Sequence, residues 1–352
     1  MYIVLAILAF GILIAVHELG HFSAAKLLGV KVNEFAIGMG PKLLKKQGKE
    51  TLYTLRLLPF GGYCAMEGEN ESSDDTRSFT AQKGWRRIVI LAAGGIANLV
   101  ACFIIIIIIV SRMNVFVSTT ITELADGFPN EGEHGLMVGD TLVSLNGERL
   151  YYVDDFSVFI QLARSGQVDL VIRRDGETLT LRRFPLERRE YMTNGQMQLR
   201  YGLSFSIIEA NAWEKLKYSC YMTMNYIRLI RVSIAQLISG AAGMRDLSGP
   251  VGIVDAMNSI GQSSPSFAAA LGNIASFMAF IGVNLAVVNL LPIPAMDGGR
   301  ILFIFITWVI ERIIRRRLDP KYEGYIHTTA LVLLMGLMVF ILVNDVVKII
   351  NG

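Results

Sequence analysis

From residue 88 to residue 110 the chain carries no charged side chain, and the stretch includes the run IIIIIIV. A helix of more than twenty such residues, rising about 1.5 Å each, crosses a hydrocarbon core of roughly 30 Å. Whatever else this chain does, it must place that helix in a membrane. The rest of the sequence agrees, because 53% hydrophobic against 18% charged residues is too apolar for an ordinary soluble globule. The net charge of +3, from 33 basic and 30 acidic residues, gives no global sign of a nucleic-acid binder. Cys64, Cys102 and Cys220 are scattered and form no CxxC pair. This excludes a disulfide framework and a cysteine-based zinc site.

Three further apolar blocks accompany this span. Residues 1–16 lack a basic leader and run through His17 to Ala25 with no clean cleavage site, which predicts a first span rather than a removable signal. The third block, about 274–310, is interrupted by PIPAMDGG, and the fourth, 327–343, is nearly charge-free. Lys and Arg collect between spans one and two (Lys26 through Arg87) and between spans three and four (Arg312, Arg315, Arg316, Arg317, Lys321), which predicts both loops to be cytoplasmic. Both termini and residues 111–267 then lie outside. The block 213–239 is not counted as a crossing, since that would move the arginines at 315–317 outside. Its Lys215, Lys217, Arg228 and Arg231 among Leu, Tyr, Met and Ile suit an amphipathic helix on the membrane surface.

Residues 118–206 read as a small soluble domain. TLVSLNG and VDLVIRRDGETLTLRRF alternate as strands do and are bounded by Gly, Asn and Asp turns. GLMVGDTLVSLNGERL at 135–150, followed by a helix over DDFSVFIQLARSG, resembles a PDZ domain, a fold that captures peptide ends or strands at a sheet edge.

His17, Glu18 and His21 spell HELGH on the first span. Residues four apart share a helix face, so both imidazoles reach one cation with Glu18 beside it. Ionisable groups within a span cost at least a few kcal/mol each and call for partners, so three within five residues point to a metal or a buried network. Catalytic zinc takes three protein ligands and leaves a position for water. His134 and His327 lie in the outside domain and at a span edge, so the better third ligand is Asp297 of NLLPIPAMDGG, the one acid between Phe267 and Glu311. Pro292 and Pro294 forbid regular helix there; the bland alternative for Asp297 is an N-cap. At about 1.5 Å per residue, His17 sits some 20–25 Å into a span entered from outside, and Asp297 lies at a similar depth in a third span of the same direction.

HELGH, NLLPIPAMDGG and the intervening PDZ-like segment together resemble the site-2 protease family of intramembrane zinc metalloproteases, in its bacterial RseP-type branch. FAIGMGP (35–41), LPFGGYCAMEG (58–68), GGIAN (94–98) and LSGPVGI (247–253) follow in family order, so the resemblance covers nearly the whole chain. It implies one catalytic zinc on His17, His21 and Asp297, with Glu18 as general base. Asn98 and Asn289 match family asparagines able to hydrogen-bond the substrate backbone or a developing oxyanion. Gly95 stands where the family usually has proline, and the outside segment has room for one PDZ-like unit, which favours the single-PDZ branch.

The expected architecture is an α-helical polytopic membrane protein of four transmembrane helices with an inserted extracytoplasmic β-rich PDZ-like domain. The membrane core comprises residues 1–111, including a cytoplasmic re-entrant hairpin at about 48–70, and residues 247–352. The PDZ-like domain spans 118–206 and the amphipathic surface helix 212–240. Within the hairpin, 51–56 and 61–66 are expected to pair around LPFGG, leaving an edge for an unwound substrate. The resemblance implies a multi-pass protein of the bacterial cytoplasmic (inner) membrane. It would cut single-span membrane proteins such as anti-sigma factors or signal-peptide remnants within the bilayer, after an upstream site-1 protease. The rival expectation is a non-catalytic scaffold that recruits peptides through its PDZ-like domain.

Overall fold

The computed structural model of the chain describes residues 2–69, 73–163, 166–193, 196–240, 243, 249–315 and 321–351. Arg316 and Arg317, and Leu247 and Ser248 of the LSGPVGI motif, lie outside the described residues. In chain order the first elements are α1 (Tyr2–Leu27), β1 (Val32–Gln47), β2 (Leu52–Met66) and α2 (Gly84–Ser111). Next come β3 (Val115–Leu124), β4 (Thr141–Leu145), β5 (Glu148–Arg149), α3 (Val153–Leu162), β6 (Gln167–Arg174) and β7 (Glu177–Pro185). Then follow β8 (Arg189–Thr193), β9 (Gln196–Arg200), β10 (Leu203–Glu209) and α4 (Ala212–Ile238). The chain ends with α5 (Pro250–Ser263), α6 (Phe267–Leu290), α7 (Asp297–Ile314) and α8 (Lys321–Asn351). These elements form two compact units, Met1–Ile109 with Met222–Gly352, and Val110–Tyr221.

Among the described residues, four helical segments are long and apolar enough to cross a membrane: α1, α2, α6 and Thr328–Asp345 of α8. The third apolar block therefore differs from its expected extent. It is two helices, and the spanning one ends at Leu290 because Pro292 and Pro294 cannot donate to a helical ladder. Ala295 adopts a left-handed φ of 74° before α7 begins. α4, with its four interspersed cations, is not among the four segments.

In the first unit α1 buries Ala6, Leu13, His17, Gly20, His21 and Ala25. Their spacing makes one stripe along a 3.6-residue helix. Ile3, Val4, Leu8, Ile12 and Leu19 point away from the protein. The helix is thus apolar outward and carries its histidines inward, as suits a lipid-facing cylinder.

β1 and β2 pair antiparallel, with register shifts along most of their length. The bulges bend both strands back on themselves, so that residues 34–37 gain partners on two sides. Glu34, Phe35, Ala36 and Ile37 pair with Ala65, Cys64, Tyr63 and Gly62, and also with Leu52, Tyr53, Thr54 and Leu55. The expected hairpin is corrected accordingly: 51–56 and 61–66 are not each other's partners but flank β1. Glu34 binds the layers together, accepting from Thr54 Oγ1 at 2.8 Å and Arg56 Nη2 at 2.9 Å, while Arg56 also donates to the Gly40 carbonyl at 2.8 Å. Among the described residues no strand covers the outer edge of 62–65.

This sheet lies along α1. Lys26 near the end of α1 pairs with Glu50 at 2.5 Å, and Phe22 packs on Phe35 and Tyr53 with ring centroids 5.0 and 5.9 Å away. At the other end, a Cβ on Gly11 would stand 2.3 Å from the Pro59 carbonyl oxygen. From Lys26 to Gly11 the sheet follows α1 for about 22 Å at about 1.5 Å per residue.

The second unit is rich in β-sheet. Its sheet runs β10-β3-β4-β6-β7, with β5 on β4 and β8–β9 as a separate two-stranded ribbon. Phe156, Phe159 and Ile160 of α3 are buried, as are Phe116, Ile121, Leu142, Leu145, Leu170 and Ile172 on the strands. Asp140 is 1% exposed and takes a bidentate pair from Arg174, Nε–Oδ1 and Nη2–Oδ2 both at 2.8 Å.

Candidate metal centre

α1 presents His17 and His21 on its buried stripe, 7% and 8% exposed, with their Nε2 atoms 3.1 Å apart. Asp297 comes from the opposite wall, at the first turn of α7. The N-cap of α7 is Met296, so the bland alternative for Asp297 does not hold. Its Oδ2 lies 3.2 Å from His17 Nε2 and 3.3 Å from His21 Nε2. These three residues form the one metal-capable group found among the described residues.

Two observations test whether this set fits zinc. Ligands of a tetrahedral zinc at about 2.0–2.1 Å lie about 3.3 Å from one another, and the three separations match that figure. The second is the tautomer of His21. Its Nδ1 lies 2.9 Å from the Ile90 carbonyl oxygen, an acceptor only, so Nδ1 carries the proton and Nε2 turns a lone pair toward Asp297. The residues fit the ion.

The packing of α2 enforces this geometry. A Cβ on Gly94 would stand 2.4 Å from His21 Nε2 and 2.8 Å from His17 Cε1, so only glycine lets α2 pass beside both rings. Sequence reasoning quoted GGIAN but missed this role; two adjacent glycines in an apolar span were the available signal. Asn98, one turn on along the same face, is fully buried, with neither amide atom hydrogen-bonded. Asn289 near the end of α6 brings its Nδ2 to 3.5 Å from His17 Nε2.

Glu18 joins the histidines in lining a cavity of about 500 Å³. Residues 63–66 of β2, which belong to the uncovered edge, line it as well, as do Glu69, Ala295 and Arg300. A Cβ on Gly62 would meet Glu18 Cγ at 3.3 Å, so the sheet edge and the carboxylate are immediate neighbours. The cavity therefore brings the metal-capable group, Glu18 and a strand edge together.

The family model of Peptidase family M50 matches residues 5–337. The chain belongs to that family. Relatives extend over nearly all of the chain. A Clostridium perfringens protein named as a zinc metalloprotease is 37% identical, covering 99% of each chain. A Synechocystis protein so named is 34% identical over 97% of this chain and 93% of its own. The regulator of sigma-W protease RasP of Bacillus subtilis is 26% identical over 97% of each. Family and relatives make this M50 protein a membrane zinc metalloprotease of the site-2 type.

Proposed function

We propose that this protein hydrolyses peptide bonds within the transmembrane segments of single-span membrane proteins. His17, His21 and Asp297 hold one zinc, and Glu18 acts as general base. The observation that carries the reading is the placement of Glu18, two histidines and an uncovered strand edge around one cavity against a membrane-spanning helix. Zinc bound there supplies a Lewis acid that lowers the pKa of water and polarises a carbonyl. Glu18 takes the proton from the attacking water and passes it to the leaving amine, a transfer its position beside both ligands allows. Asn98 and Asn289 hydrogen-bond the substrate backbone or the developing oxyanion. The burial of Asn98 without a partner supports this, since an amide is rarely left unsatisfied without a purpose.

A peptide bond in a helix is shielded by its own hydrogen bonds, so substrate must be unwound and held extended. Residues 62–66 supply the strand on which it pairs. Their sheet follows α1 for more than half its length, which supports a re-entrant element at membrane depth, backed by protein as such backbone must be.

The second unit is the PDZ-like domain, placed outside the cytoplasmic membrane with the termini. A cavity of about 290 Å³ in it supports the capture of a peptide end: Phe156 and Ile160 of α3 form its apolar side, and Arg188 and Arg200 its cationic side. In this reading the domain admits chains already shortened by a site-1 protease. The name of the Bacillus relative supports regulatory membrane proteins, anti-sigma factors among them, as substrates.

The test is cleavage of a tagged single-span protein by purified enzyme, wild type against Glu18→Gln, with zinc measured on both. Cleavage by wild type that disappears in a variant still holding about one zinc, the open-site stoichiometry, supports the assignment. Loaded proteins that cut none of several substrates point instead to the scaffold.

A further inference from the structure

The cavity that holds Glu18 is also lined by an ion pair that the hydrolytic step does not use. Glu69 follows β2 by three residues, and one of its carboxylate oxygens lies 3.4 Å from the Met66 backbone N–H. Its other oxygen pairs with Arg300, which sits one turn beyond Asp297 on α7. The pair thus joins the two walls of the cavity, the strand edge on one side and the metal-ligand helix on the other. A chain laid along 62–66 in the direction of Met66 must run past it.

We infer that Arg300, held by Glu69, is a specificity-determining residue that favours an acidic over a basic substrate side chain about three residues from the scissile bond, on the side toward Met66. The position follows from the spacing. Glu18 adjoins Gly62 and Cys64, and the pair lies beyond Met66, about three residues further at about 3.3 Å per residue of extended chain. The sign follows from exposure. Arg300 has 30% of its side chain exposed and Glu69 only 15%, so the guanidinium is the charge that a passing side chain meets. A substrate carboxylate there finds a donor shaped to receive it, whereas a substrate ammonium meets a like charge with the compensating carboxylate set behind.

This inference rests on the proposed alignment of substrate along the edge, and the experiment separates the two. Purified full-length protein is given a single-span model substrate with Ala, Glu or Lys at the second, third and fourth residues on that side of the cleaved bond. Wild type is expected to cut the Glu substrate about five- to tenfold better in kcat/KM than the Lys substrate, the size of one well-placed charge contact. In the double variant Glu69→Arg with Arg300→Glu the pair is kept and its polarity reversed, so the preference should invert. Arg300→Gln should bring the Glu-to-Lys ratio near one, and it keeps the inference testable if the double variant fails to fold. Equal cleavage of Glu and Lys substrates by wild type, or a preference indifferent to Arg300, overturns the inference. An Ala substrate left whole by zinc-loaded wild type overturns the underlying alignment instead.

Discussion

The buried aspartates of the second unit and the buried polar groups at the metal centre of the first are held in opposite ways. In the second unit the two buried aspartates are answered locally: Asp140 receives both arms of Arg174, and Asp155 accepts from the backbone of Tyr151 at 2.7 Å. At the metal centre of the first unit, several buried polar atoms converge without closing their own hydrogen bonds. His17 Nδ1 and both amide atoms of Asn98 have no hydrogen-bond partner, and Asp297 Oδ2 has only the two imidazoles beside it. A network satisfied within itself stabilises a fold, whereas one left open toward a cavity is poised for something that is not protein. The surfaces follow the same inversion, since α1 turns Ile3, Val4 and Leu8 outward while the second unit folds Phe116 and Leu142 inward.

The sharpest way to break the comparison is to close the open site. Gly94→Ala forces a methyl group against His21, whose ring cannot yield without losing its bond to Ile90. Zinc affinity should fall about 10- to 100-fold, as for the loss of an outer-shell partner, and proteolysis with it. Metal analysis after dialysis checks this, and full zinc occupancy in the variant would show that α2 does not constrain the rings. In the second unit the complementary change is Arg174→Met, which strands a buried Asp140. That unit should lose about 3–5 kcal/mol of stability, read by hydrogen exchange over 115–209, with zinc content unchanged. A drop in zinc instead would mean that the two networks are not independent.

Much of this contrast could be read from the chain before any coordinates. The charge-free runs announce the spans, because a bilayer leaves a helix no other composition. HELGH and an isolated acid in a proline-broken segment single out residues that the structure brings within 3.3 Å of each other. The sheet between α1 and α2 was harder. Its partners were misjudged because pairing is decided by bulges, and alternation alone cannot say which of two flanking segments residues 34–37 will choose. Gly94 and the Glu69–Arg300 pair were illegible for a related reason. Both depend on contacts between distant segments, and no local periodicity encodes them.

Asn98 offers a finer test. If its unanswered amide is kept for substrate, replacing it with an apolar side chain of similar size should improve the fold while harming the enzyme. Asn98→Leu is expected to raise stability by about 1 kcal/mol, since an unsatisfied buried polar group is removed. Turnover should fall about 100-fold, the loss typical of one oxyanion donor. Parallel thermal unfolding and single-turnover assays measure both. A variant less stable than wild type would place Asn98 with the closed networks of the second unit.

The smallest effect concerns the exposed ion pairs that tie the segment after β2 to the sheet. Hydrogen bonds from Lys26 and Arg77 hold the Glu50 carboxyl at about 2, well below the usual carboxylate range. Ser73, Asn33 and Lys31 do the same for Glu67, also at about 2. A carboxyl whose folded value is depressed stabilises the fold above its unfolded value, about 4.3 for Glu, and that contribution is lost as pH falls through this window toward 2. Residues 73–77 should therefore lose backbone protection between about pH 4.5 and 2. Glu50→Gln with Glu67→Gln should remove the pH dependence and leave a uniformly weak segment. The effect is small because such pairs are partly solvated and screened by salt. Hydrogen exchange corrected for its intrinsic pH dependence would detect it, and protection unchanged across the window would assign the segment's order to the backbone bonds of Lys31 with Arg77 and of Phe79 with Glu67.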